Sequence, residues 1–157
     1  MRMTVTRHLL ASALVVIGLT ACSDNDPASP AIDGFVRATI DGVPWSADFA
    51  TAVRSGDVIG VGANDLNQVG LGFAFEDLGV GTYPIGPGEA NNGVYNVGAA
   101  SWNATQFQGS GGIAVTSVTA TRVEGTFAFQ AVSVGQTPET TVSVTNGVFD
   151  LPLTSGS

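Results

Sequence analysis

The chain reads as an all-β protein: an antiparallel β-sandwich, or a partly closed barrel, of about nine or ten short strands. Three observations predict it. Apolar residues after Gly34 recur with period two, as in Val69, Leu71, Phe73 and Phe75, whose intervening Gly70, Gly72 and Ala74 make a small second face. Turn residues punctuate the chain at the short intervals typical of such folds. After Gly34 no run of ten or more residues sustains apolar side chains at the i, i+3, i+4, i+7 spacing of an amphipathic helix.

The elements follow in order. Arg2, Arg7 and His8 precede an apolar run, Leu9 to Leu19, broken only by Ser12 and Gly18. A basic start and a run too short to span a bilayer make a secretory signal peptide. Leu19-Thr20-Ala21-Cys22 resembles the bacterial lipobox, an aliphatic residue and two small ones before a cysteine. The resemblance implies cleavage before Cys22, diacylation of its thiol and acylation of the new amino terminus. An ordinary signal peptide is the alternative, but Leu19 and Ala21 fit the small-x-small cleavage rule poorly. Residues 1–21 are therefore read as signal peptide and residues 22–33 as a tether, since Ser23 to Ala31 has two prolines, two acids and no periodicity. Ser23 resembles the neutral sorting residue of outer-membrane lipoproteins. Residues 34–154 are read as one β domain and 155–157 as a tail.

Within that domain, strands are expected near Phe35 to Ile40, Trp45 to Val53, Val58 to Ala63, Val69 to Phe75, Gly93 to Ser101, Gly112 to Thr119 and Val123 to Ala131. Asp41-Gly42 between the first two is a strong hairpin signal. Asn64-Asp65, Pro87-Gly88 and Gly109-Ser110-Gly111-Gly112 supply further breaks. Val142 and Val144 alternate in one phase, whereas Phe149, Leu151 and Leu153 alternate in the other. Asn146-Gly147 stands where the phase changes, as a bulge would. Two G-x-Y-x-x-G segments, Gly81 to Gly86 and Gly93 to Gly98, are read as neighbouring edges of one loop-joined pair.

Composition excludes much chemistry. The chain has no lysine, its only histidine is His8, and its only cysteine is Cys22. A mature domain so composed lacks the parts of Ser-His-Asp, Ser-Lys and thiol mechanisms, of a Walker loop, and of the usual zinc, copper or haem sites. After residue 21, Arg37, Arg54 and Arg122 face all 13 acidic residues, a balance that repels nucleic acid. Membrane contact is expected through the acyl chains on Cys22, and no cofactor is expected.

Two chemistries survive exclusion. Glu76, Asp77, Glu89, Glu124 and Glu139 are candidates for a glycosidase carboxylate pair, though solvated strand ends and turns explain them more simply. Asp57, Asn64 and Asp65, or Glu89, Asn91 and Asn92, offer oxygen ligands for calcium, but neither group follows a known loop pattern. Among the aromatics, Trp45 follows the first hairpin turn and is expected to pack into the core. Trp102, between Ser101 and Asn103, is expected to be exposed and is the best candidate for a ligand-contacting ring.

Three segments together look like a family of uncharacterised bacterial envelope lipoproteins. They are Phe35-Val36-Arg37-Ala38-Thr39-Ile40-Asp41-Gly42 with Trp45, Gly125-Thr126-Phe127-Ala128-Phe129, and Thr145-Asn146-Gly147-Val148-Phe149. The family's corresponding patterns are F-x-A-x-(I/V)-(D/N)-G-x-x-W, G-T-F-x-F and T-N-G-x-F. The resemblance implies an all-β domain and a surface setting, and carries no reaction or binding residue with it. The functional expectation is a lipid-anchored lipoprotein of the bacterial envelope, at the outer membrane, serving as a non-enzymatic binding or structural module. The alternatives are a glycan-binding accessory lipoprotein and, behind it, a carboxylate-dependent glycosidase.

Overall fold

A computed structural model describes residues 33–156, so Cys22 and most of the expected tether lie outside the described residues. Every regular element among them is a strand. In order these are β1 (Phe35–Ile40), β2 (Val43–Ser46), β3 (Phe49–Ser55), β4 (Val58–Asn64), β5 (Val69–Glu76), β6 (Gly81–Ile85), β7 (Asn92–Val97), β8 (Ala100–Ala104), β9 (Ser110–Val118), β10 (Arg122–Ser133) and β11 (Thr141–Ser155). The domain is all-β as expected. The count rises to eleven because two predicted strands are each broken: Ala47-Asp48 separates β2 from β3, and Gly98-Ala99 separates β7 from β8. The last strand also continues through Ser155, one residue into the expected tail.

All eleven strands belong to one mixed sheet in the order β2-β1-β11-β3-β4-β5-β7-β8-β10-β9-β6, and β10 also pairs with β11. That extra pairing closes a ring through seven strands, from β11 by way of β3, β4, β5, β7 and β8 to β10. The one parallel pairing joins Leu153–Ser155 of β11 to Ala52–Arg54 of β3. Across the ring Phe73 of β5 lies 4.6 Å from Phe127 of β10 and 5.1 Å from Phe149 of β11, ring centroid to ring centroid. Strands that are not sheet neighbours thus face one another, and their inward residues make a single core. The free edges, β2 and β6, carry Pro44 and Pro84, which lack the N–H a further strand would need.

Core packing depends on an alternation of phenylalanine with glycine across the strands. Phe73 is registered opposite Gly93, Phe127 opposite Gly147, Phe149 opposite Gly125 and Phe129 opposite Gly111. A Cβ placed on Gly93 would stand 2.8 Å from the Phe129 ring, one on Gly125 2.7 Å from Phe149, and one on Gly147 2.6 Å from Phe127. The rings of Phe129, Phe149 and Phe127 thus fill the space that Gly93, Gly125 and Gly147 leave open.

β11 carries the bulge that the phase change predicts. Arg37 to Thr39 on β1 spans two steps against three from Thr145 to Val148, and Phe127 to Phe129 on β10 does the same against Val144 to Gly147. One extra residue therefore interrupts β11 relative to both neighbours. Asn146 takes it up with φ of 51°, a left-handed conformation that asparagine tolerates better than most residues. Val142 and Val144 before it, and Phe149, Leu151 and Leu153 after it, are consequently all buried.

One expected pairing does not form. β6 pairs with β9, while β7 pairs with β5 and β8, so the two G-x-Y-x-x-G segments are not edges of one pair. A single bridge links the first segment to the residues before the second, Ile85 to Asn91. Tyr83 and Ile85 are buried, and the Tyr83 ring packs 5.0 Å from Phe75; that burial is reached by extending β9.

Removing Asn146 should therefore be far more damaging than a one-residue deletion in a turn. It would put Phe149, Leu151 and Leu153 on the solvent side of β11 or strip the strand of its pairing with both neighbours. The expected result is loss of the cooperative denaturant transition, whereas Asn146→Gly, which keeps the φ accessible, should retain it. A cooperative transition of unchanged midpoint in the deletion variant would contradict the bulge assignment.

Candidate functional site

The first hairpin turn starts the site. Asp41 and Gly42 have φ of 45° and 83°, positive at both central positions, which is the type I′ turn that Asp-Gly favours. The turn is tied to β11 twice: the Asp41 N–H donates to Ser143 O at 2.9 Å, and Asp41 Oδ1 accepts from the Ser143 N–H at 2.8 Å. It delivers Trp45 on β2, opposite Ala38. Trp45 is half-buried against the core and donates its indole N–H to Asp65 Oδ2 at 3.0 Å.

Asp65 organises the next turn, between β4 and β5. Its Oδ1 accepts the N–H groups of Asn67 at 2.8 Å and Val69 at 2.9 Å. Burial alone would raise its pKa, but these backbone bonds and the Trp45 indole favour the ionised form and hold the carboxyl below its ordinary value of 3.8. Val69 begins β5 and faces Val97 of β7, two positions along from Tyr95. Ile40, Asp41, Val43, Pro44, Trp45, Val69 and Tyr95 together line an open hollow of about 310 Å³. Burial, followed by the charges of Asp41 and Asp65, raises the Tyr95 pKa, so the phenol stays protonated in a negative field.

Trp102 extends this aromatic end. It is registered opposite Tyr95 across β7 and β8, with ring centroids 5.4 Å apart. Its indole N–H donates to Thr140 Oγ1 at 3.0 Å, in the connection between β10 and β11. The expected contrast between the tryptophans does not hold. Both are half-buried and packed on the core, because residues 100, 102 and 104 face inward with Ala104 fully buried at the end of the row. The polar neighbours Ser101 and Asn103 point to the other side, and their character says nothing about the ring between them.

A second hollow, of about 690 Å³, is lined by Glu89, Asn92, Asn103, Gln106, Gln108 and Phe107, among others. Phe107 is 82% exposed. Sequence reasoning passed over it, since one aromatic between two glutamines has no periodic signal. Asn91, on the same rim, is buried and fully used: its Oδ1 accepts the Glu76 N–H at 3.1 Å and its Nδ2 donates to Pro84 O at 2.8 Å.

The other candidate carboxylates are placed apart. Asp77 pairs with Arg54 at 2.5 Å, Glu124 lies 3.8 Å from Arg122 on β10, and Glu139 is exposed in the β10–β11 connection. Glu76 ends β5, and Glu89 lines the second hollow. Asp57 and Asp65 lie beyond opposite ends of β4. No group of three or more His, Cys, Asp or Glu side chains is placed to hold a metal ion among the described residues.

The class these features define is an all-β domain with an aromatic, acidic hollow beside its first hairpin. The chain belongs to a family named for a domain of unknown function, DUF6252, whose pattern matches residues 32–151. Neither a curated protein nor a solved structure shows significant similarity to it.

The low pKa of Asp65 has a consequence for stability. A carboxyl whose folded pKa is depressed stabilises the fold above its unfolded value, and that contribution is lost as pH falls through the folded value. Wild type should lose its advantage over Asp65→Asn as the pH drops below about 4, where an ordinary aspartate begins to protonate. Denaturant midpoints of both proteins at neutral and strongly acidic pH measure this. An advantage of the same size at both would contradict the assignment.

Proposed function

We propose that the protein is a lipid-anchored lipoprotein of the bacterial envelope, held at the outer membrane through acyl chains on Cys22, and that its domain is a non-catalytic binding module. The observation that carries this reading is the placement of the aromatic hollow. The tether expected over residues 22–33 enters the domain at Phe35, and the Asp41-Gly42 turn lies at the other end of β1. Six residues at about 3.3 Å each separate the two by roughly 20 Å. An anchored molecule would thus hold the turn at the end of β1 remote from the point of attachment, with Trp45 partway back along the strand opposite Ala38. The acidic surplus of the chain supports attachment by acyl chains rather than by charge, because it repels anionic lipid.

A glycan-binding accessory lipoprotein is the second reading. It is favoured by the other hollow, where the exposed Phe107 ring stands among the amides of Asn92, Asn103, Gln106 and Gln108. Stacking surfaces beside amide donors and acceptors suit a sugar's apolar face and hydroxyls. In that reading Trp102 is a supporting ring rather than the platform, since its N–H is already bonded to Thr140. Catalysis by a carboxylate pair draws less support, since the first hollow is lined by Asp41 and the second by Glu89 as their only carboxylates.

Metabolic labelling with a fatty-acid probe tests the anchor. Wild type should take up label and fractionate with membranes, and Cys22→Ala should do neither, because only the thiol can receive the diacylglycerol. Equal labelling of the two proteins would end the lipoprotein reading.

A further inference from the structure

We infer that the hollow beside the first hairpin binds a small soluble organic cation bearing a methylated ammonium group. The inference rests on the binding-module reading and names the ligand class for that site. Its walls are the rings of Trp45 and Tyr95 with Val43, Pro44 and Val69 between them, and Asp41 supplies a carboxylate at the rim. Aromatic faces carry the negative side of the ring quadrupole, and a methylated ammonium group offers them a diffuse positive charge at low desolvation cost. At about 310 Å³ the space is at the small end of ligand pockets.

Charge complementarity separates this ligand from a neutral one. Asp41 lines the hollow and Asp65 stands behind its Trp45 wall, 3.0 Å from the indole nitrogen, so two carboxylates flank the space. None of the three arginines of the domain offsets them there. Arg54 is paired with Asp77, Arg122 with Asp150 at 2.6 Å, and Arg37 lies over the Phe35 ring at 4.9 Å, near the opposite end of β1. A sugar, by contrast, would find few partners. The Trp45 N–H is already taken by Asp65, and Ile40, Val43, Pro44 and Val69 offer no polar side-chain atoms, so a sugar would gain few hydrogen bonds from this site. Placement at the end of β1 away from the tether argues for a soluble cation rather than a lipid head group of the anchoring membrane.

The two tryptophans of the chain, Trp45 and Trp102, both stand at this end, so intrinsic fluorescence reports on it directly. The mature full-length protein is titrated with three probes: choline, its neutral analogue with a quaternary carbon in place of nitrogen, and a neutral disaccharide. Choline should give a saturable change, with the carbon analogue at least roughly tenfold weaker. Asp41→Asn keeps both the left-handed turn residue and an oxygen for the Ser143 N–H, and should weaken choline about three- to tenfold while leaving the carbon analogue unchanged. Tyr95→Leu should abolish the preference for the cation. A carbon analogue as tight as choline, or a response to the disaccharide alone, would overturn the cation and leave the binding module standing. No saturable response to any of the three would overturn both.

Discussion

The structure depends on one steric constraint, the seating of three core phenylalanines, Phe127, Phe129 and Phe149, against glycines of other strands. Phe127 and Phe149 meet Gly147 and Gly125 reciprocally across the same two strands, β10 and β11, so that each strand supplies one ring and one vacancy. Phe73 and Phe129 stand in register with Gly93 and Gly111, and the ring over Gly93 is that of Phe129. Gly93 serves twice, as the partner of Phe73 in register and as the floor beneath Phe129, two strands away past β8. Interiors packed to crystal-like density tolerate neither a void nor an extra methyl at such points. Rings meeting glycines allow β5, β10 and β11 to approach closely enough for Phe73, Phe127 and Phe149 to touch.

From that core the aromatic hollow follows. The bulge at Asn146 lets β11 keep buried residues inward along its whole length, from its pairing with β1 and β10 to its parallel contact with β3. Because β1 is held on β11 in this register, the Asp41-Gly42 turn is fixed by two hydrogen bonds to Ser143 and presents Trp45 toward Asp65. Asp65 shapes the β4–β5 turn from which Val69 enters β5. The hollow is thus framed by backbone that the core already orders, the condition under which a binding group keeps its geometry at little entropic cost.

Much of this was legible in the residues. Period-two patterning gave the all-β class, Asp41-Gly42 located the hairpin, and the phase change at Asn146-Gly147 located the bulge, because each is a local signal with a local cause. What escaped is non-local. Whether Gly93 to Gly98 pairs with Gly81 to Gly86 depends on which face of Tyr83 finds a core, and neither segment records that its neighbours are β5, β8 and β9. Trp102 looked exposed because its sequence neighbours are polar, yet alternation sends those neighbours outward and the ring inward. Phe107 was missed because a single aromatic between Gln106 and Gln108 carries no periodic signal. The joining of both halves of the sheet into a ring rests on only a few residue pairs, Leu153–Ser155 with Ala52–Arg54 and Val132–Ser133 with Trp102–Asn103, and such short pairings leave no pattern of their own.

The seating of phenylalanine on glycine is tested most directly by comparing three glycine-to-alanine variants in denaturant melts. Gly93→Ala adds a methyl that would meet only the Phe129 ring, at 2.8 Å, and Gly125→Ala one that would meet the Ala114 carbonyl ahead of the Phe149 ring at 2.7 Å, whereas Gly60→Ala adds one with nothing within 4 Å. The two inward variants should each lose about 1–3 kcal/mol of stability, as overpacked cores do. Gly60→Ala should be neutral or gain up to about 1 kcal/mol by restricting the unfolded chain. Equal midpoints for all three would contradict the account.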